Sequence, residues 1–168
     1  AMSGDGSRIA IGAKWNVGTA SDAGHVRVYT LINGTWSKTG VDIDGEAAGD
    51  QAGSSVAMSG DGSRIAIGAR GNDGNGSFAG HVRVYTLING TWTRTGLDID
   101  GEAAGDLSGQ SVAMSGDGSR IAIGAPKNDG NGSNAGHVRV YTLINGTWTQ
   151  TGADINGEAA GDESGFSV

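Results

Sequence analysis

The sequence predicts an all-β protein, a β-propeller segment of three four-stranded antiparallel blades. Three observations carry that expectation. The 168 residues are one 56-residue unit written three times, residues 1–56, 57–112 and 113–168, and 43 of the 56 positions hold the same residue in every copy. A unit repeated so faithfully is one supersecondary module, which buries its apolar face only against its neighbours. Within each unit the apolar residues fall in short runs punctuated by Gly, Asn, Asp and Ser, the pattern of strands joined by turns. The period itself suits four strands, whereas solenoid coils usually repeat over roughly 20–30 residues with one or two.

The second copy, with its neighbours, gives the elements in order. Ser54-Ser55-Val56-Ala57-Met58-Ser59 is a small-residue first strand, turned by Gly60-Asp61-Gly62-Ser63. Arg64-Ile65-Ala66-Ile67-Gly68-Ala69 returns as the second strand, and Arg70 to Gly80 is a polar loop. His81 to Ile88 reads as the third strand, and Asn89-Gly90 is the two-residue hairpin turn whose central residues accept positive φ. Thr91 to Gly96 forms the outer strand, and Leu97 to Gly109 crosses to the next copy. Small residues suit the crowded inner position; Tyr85 and Trp92 suit the outer part, where sheets splay apart.

Composition narrows the function. Glycine contributes 33 residues without a Gly-X-Y period, and Pro126 is the single proline, so a collagen reading fails. No run approaches the ~20 apolar residues of a membrane helix, and no signal-peptide pattern is visible. A net charge of −7 with scattered basic residues disfavours nucleic-acid binding, which needs clustered Lys and Arg. Zero cysteines exclude disulfides and thiolate metal sites.

Several segments also carry a resemblance. Ser167-Val168, Gly124-Ala125-Pro126 and Gly136-His137-Val138-Arg139-Val140-Tyr141 resemble the blade signature of FG-GAP repeats, the integrin α-chain type of propeller. Two elements depart from it. Ala52, Ser108 or Ser164 stands where the signature has Phe, and Lys14 and Arg70 replace the proline kept as Pro126. The resemblance implies an extracellular adhesion or recognition setting, with ligands at loops on one face. It also implies an Asp/Asn-rich calcium loop between the first two strands. Here that loop is Ser3-Gly4-Asp5-Gly6-Ser7 and its copies, with one carboxylate each, too few for the six to eight oxygens calcium takes.

Three blades are too few to close a ring, since propellers have about 4–8. The frame opens in mid-strand: Ala1, Met2 and Ser3 are the second half of a first strand whose first half matches Phe166, Ser167 and Val168. The expectation is head-to-tail association, Val168 of one copy continuing into Ala1 of the next, as a homodimer of six blades or a homotrimer of nine. The near-identity of the copies and the integral number of repeats point to an amplified or engineered piece.

Candidate chemistry is sparse. The crossover Asp98, Asp100, Glu102 and Asp106 puts four carboxylates in nine residues, and Asp73 sits in an Asn/Asp/Gly loop; both are weak calcium candidates beside ordinary turn chemistry. His25, His81 and His137 each open a third strand on a different blade, which predicts hydrogen-bonded structural roles. No catalytic triad stands out. Trp36, Trp92 and Trp148 follow the Asn-Gly turns and either pack into the next blade or offer stacking platforms for sugars. Six of the thirteen positions that differ among copies lie in the long loop, which carries Trp15, Phe78 and Lys127 as binding candidates for a protein or glycan. The sequence thus reads as a non-enzymatic interaction scaffold, with a multivalent lectin as the alternative.

Overall fold

A computed structural model describes all 168 residues, and every regular element in it is a strand. The central sheet is complete. β5 (Ala52–Met58), β6 (Arg64–Ala69), β7 (His81–Ile88) and β8 (Thr91–Arg94) pair antiparallel in that order, and β9 (Ile99–Asp100) also pairs with β7. The other sheets repeat this plan. Preceding it are β1 (Arg8–Ala13), β2 (His25–Ile32), β3 (Thr35–Lys38) and β4 (Ile43–Asp44); following it are β10 (Ser111–Met114), β11 (Arg120–Ala125), β12 (His137–Ile144), β13 (Thr147–Gln150) and β14 (Ile155–Asn156). The protein is a β-propeller segment of three blades.

The outer edge departs from the sequence expectation, which ended the fourth strand at Gly96. It continues instead in two pieces on β7: Tyr85 to Ile88 pair with β8, and Val82 and His81 pair with β9. Between them Gly96 sits at φ +80°, which swings the chain out and lets it return to the edge left free beside His81. The Asn-Gly turns form as expected, with Asn89 at φ +50° and Gly90 at +81°.

Alternation along the strands explains why both faces of a blade are apolar. In β6 and β7, Ile65, Ile67, Tyr85 and Leu87 point back toward the first blade, whereas Ala66, Val82 and Val84 point forward toward the third. Each junction therefore sets bulky side chains against smaller ones. In the first junction Ile65, Ile67 and Trp92 meet Ala10, Val26 and Val28; in the second, Ile121, Ile123 and Trp148 meet Ala66, Val82 and Val84. Fully burying each larger aliphatic side chain contributes about 1.5–3 kcal/mol, so the junctions hold the blades together.

The turn between the first two strands is fastened by one carboxylate. Asp61 Oδ1 accepts from Ser59 Oγ at 2.6 Å and from the Ser63 backbone N–H at 3.0 Å, and Asp5 and Asp117 repeat this. Those donors hold all three carboxyls down to about 2. Because the folded value lies below that of the unfolded chain, the contribution is present above pH ~4 and is lost as pH falls through 2. The melting temperature should accordingly fall between pH 4 and 2, and Asp61→Asn should flatten part of that fall. An unchanged acid limb in the variant would show that this turn does not contribute to acid sensitivity.

Candidate functional site at the blade junctions

Every junction repeats the same hydrogen bonds about one repeat apart. Trp92 Nε1 donates to Thr39 O at 3.1 Å, and Trp148 Nε1 to Thr95 O at 3.0 Å. Arg8 Nη1 donates to Gly62 O at 2.7 Å, and Arg64 Nη1 to Gly118 O at 2.6 Å. At the ends of the first strands Gly4 N–H donates to Gly60 O and Gly60 N–H to Gly116 O, both at 2.7 Å. Trp92 and Trp148 are thus buried between blades and hydrogen-bonded; neither leaves a ring face open for a sugar.

The two ends of the segment carry the unmatched halves of this junction. Trp36 is 43% exposed where Trp92 and Trp148 are 8%, and Ile11 is 49% exposed where Ile67 is 3%. Met2, Ile9, Ile11, Tyr29 and Trp36 line one open apolar recess on the back of the first blade. On the front of the third blade a second recess is lined by Ala113, Met114, Arg120, Ile121, Ala122 and Val140, with Ile155 exposed nearby. In the first blade the inner strand is reduced to a bridge between Met2 and Ile9 and paired hydrogen bonds between Ala1 and Ala10. Ser3 is buried, whereas Ala1, Phe166, Ser167 and Val168 are exposed.

The acidic crossover does not form one ion cage, which corrects the calcium expectation. Asp98 accepts from Arg83 and Arg94 in the first junction, and its Arg83 pairing holds the carboxyl below its ordinary value. Asp106 is buried, with Oδ2 accepting from Ala103 N–H and Asn128 Nδ2. Asp100 gives its backbone carbonyl to Arg139, and Asp73 caps its own loop through the Phe78 N–H. Glu102 turns into the second junction. The strand and turn geometry sends neighbouring carboxylates to different places, which spacing alone does not reveal.

What the junctions gather instead is one histidine with two carboxylates: Glu46, His81 and Asp98 in the first, Glu102, His137 and Asp154 in the second. The histidine comes from the third strand, one carboxylate from the end of the same blade's outer edge and the other from the preceding crossover. Burial, with Arg83 or Arg139 nearby, pushes both imidazoles below their ordinary value against the pull of the carboxylates. His137 is not the hydrogen-bonded group that the sequence suggests, since both ring nitrogens are buried without a partner. This grouping escaped the sequence reading because its members lie on two blades.

Among the loop candidates, Trp15 is exposed under the Lys14 ammonium at 5.1 Å, and Phe78 is exposed at φ +55°. Lys127 is paired with Glu163. The three lie on separate blades and form no common pocket.

Comparison with known proteins agrees with this architecture. No curated protein matches the sequence. Among solved structures, a candidate 6-phosphogluconolactonase from Bacteroides fragilis is similar at TM-score 0.63 and 14% identity, over 93% of this chain and 38% of its own. A second, from Bacteroides uniformis, is similar at TM-score 0.61 and 14% identity, over 93% of this chain and 39% of its own. The chain therefore spans about two fifths of the length of these proteins, and identity at that level speaks to the fold alone. The FG-GAP repeat model matches residues 41–85 and 98–141, more than half of the chain. With three repeated blades, their shared junctions and those two matches, the chain belongs to the FG-GAP repeat family.

Proposed function

We propose that the 168-residue chain is a non-enzymatic propeller scaffold whose copies associate head to tail into a closed ring, with six blades from two copies the smallest closure. The single observation that carries this is the identity between what is exposed at the ends and what is buried inside. The back of the first blade is the back of the second residue for residue, from Met2, Ile9 and Ile11 to Trp36, and the second blade's version is buried against the first. The front of the third blade offers Ala122, Val138, Val140 and Ile155 where the first uses Ala10, Val26, Val28 and Ile43. A second copy is thus a fitting occupant, and each chain offers one face of each kind. A heterologous contact of this type closes when the rotation per blade completes the circle.

The register inside the chain specifies the contact. Val56 pairs with Ile67, so Val168 of one copy would pair with Ile11 of the next. Gly116 N–H would donate to Gly4 O of the next copy, Arg120 to its Gly6 O, and Trp36 Nε1 of that copy to Thr151 O. The two exposed end faces are lined mainly by apolar side chains that match the buried junctions, which supports a scaffold that stacks blade on blade. Sedimentation velocity across the micromolar range tests the reading. A dimer mass is expected; a trimer mass would keep head-to-tail closure with nine blades, and a stable monomer would end the proposal.

A further inference from the structure

We propose that Glu102, His137 and Asp154 form a binding site for a divalent first-row transition ion, of which zinc is the probe, at the second blade junction only. The site lies within one chain and does not depend on ring closure.

Two observations carry it independently. The first is geometric. His137 Nδ1 lies 3.9 Å from Glu102 Oε2 and 3.8 Å from Asp154 Oδ2, and the three ligand atoms lie within 4.8 Å of one another. An ion about 2.0–2.2 Å from each ligand wants such atoms roughly 3.4 Å apart in a tetrahedral arrangement, so each histidine–carboxylate gap closes by about half an ångström. Glu102 is half-exposed and on a crossover, which gives it room to move and leaves an open side for entry and a water ligand. One imidazole nitrogen with two carboxylate oxygens suits zinc and its neighbours; calcium and magnesium prefer all-oxygen sets.

The second observation is the orphaned histidine. His137 is 1% exposed, yet neither ring nitrogen has a hydrogen-bond partner, although buried polar groups are nearly always paired. Its Nδ1 faces the two carboxylates across a gap too long for a hydrogen bond. An ion there supplies the partner that Nδ1 lacks.

The two junctions differ in what already fills the gap. In the first, the Arg83 guanidinium bridges Glu46 and Asp98, and Arg94 takes Asp98 Oδ1 at 3.0 Å, so positive charge is already in place. In the second, Arg139 Nη2 donates to Asp100 O at 2.8 Å and makes only a 3.4 Å approach to Glu102, leaving its own Nε without a partner. Gln150 stands where the first junction has Arg94. It donates to Asp154 Oδ1 at 2.6 Å and leaves Oδ2 toward His137. The exchange of Arg94 for Gln150, with the turned arginine, separates the second junction from the arginine-paired first.

The test is zinc titration of the purified chain, read by native mass spectrometry and by melting temperature. One zinc per chain at micromolar concentration is expected, in monomer and closed ring alike, with a rise in melting temperature. His137→Ala should abolish both. Glu102→Gln, at a half-exposed position that leaves the fold intact, should weaken binding at least tenfold, and Gln150→Arg should do the same by restoring the arginine-paired arrangement. Cobalt(II) should give visible absorption bands that zinc displaces. No zinc at micromolar concentration, or binding unchanged in Glu102→Gln, overturns the site. Two ions per chain, the second lost in His81→Ala, overturns its restriction to one junction. A monomer that still takes one zinc would refute ring closure while leaving this inference standing.

Discussion

Trp36→Asp should reduce the proposed head-to-tail ring to single copies at micromolar concentration, weakening association by at least a hundredfold. Trp36 is the largest apolar side chain in the recess on the back of the first blade, and the residue is 43% exposed in the single chain. In the contact expected between copies it would be buried as Trp92 is, and buried tryptophans are among the residues whose truncation costs binding most, often 2–4 kcal/mol. A charge in the same pocket adds the desolvation of an unpaired carboxylate.

The equivalent change inside the chain supplies the comparison. Trp92 is 8% exposed and donates to Thr39 O, so Trp92→Ala removes a packed side chain and a hydrogen bond from one folded unit. It should cost about 3–5 kcal/mol of folding stability. Trp36→Asp should leave the single chain folded, with a melting temperature that no longer rises with protein concentration. Sedimentation velocity and melting at two concentrations decide it. A Trp36→Asp chain with the mass of the unaltered protein would contradict the assembly mode directly.

Gly68→Ala should be a strongly damaging single-methyl change in the central blade, costing about 3 kcal/mol. Gly68 is on β6 in ordinary extended backbone, so its need for glycine is spatial. A Cβ there would lie 2.1 Å from Gly109 O and 2.3 Å from Ser55 Oγ. The serine could rotate, but the carbonyl belongs to the backbone of the crossover and has nowhere to go. Overpacking typically costs 1–3 kcal/mol, and a clash with fixed backbone belongs at or beyond the top of that range. Gly12 and Gly124 meet Gly53 O and Gly165 O in the same way, so the close approach is part of each blade.

Gly116→Ala provides the contrast, since a Cβ there meets nothing within 4 Å in the single chain. It should be neutral or slightly stabilising by up to about 1 kcal/mol through the unfolded chain. In a closed ring it would approach Gly4 of the next copy, as a Cβ on Gly60 would approach Gly116 O at 3.0 Å. Denaturant titration of both variants tests these expectations, and a Gly68→Ala chain as stable as the original would refute the packing account.

The architecture is legible in the amino-acid order, because the information for it is local and repeated. The apolar runs set strands, Asn33-Gly34, Asn89-Gly90 and Asn145-Gly146 set hairpins through positive φ, and a 56-residue period set three blades. The resemblance to FG-GAP blades was also legible, in Gly-Ala-Pro and Gly-His-Val-Arg-Val-Tyr. Tertiary structure alone decided how side chains meet across blades. Asp98 and Glu102 are four residues apart, yet the chain's passage around the rim delivers them to different junctions, each beside a histidine of another strand. Tryptophans identical in sequence differ in exposure because Trp92 and Trp148 have a preceding blade and Trp36 does not. Burial and pairing belong to the space between modules, which spacing along one strand does not encode.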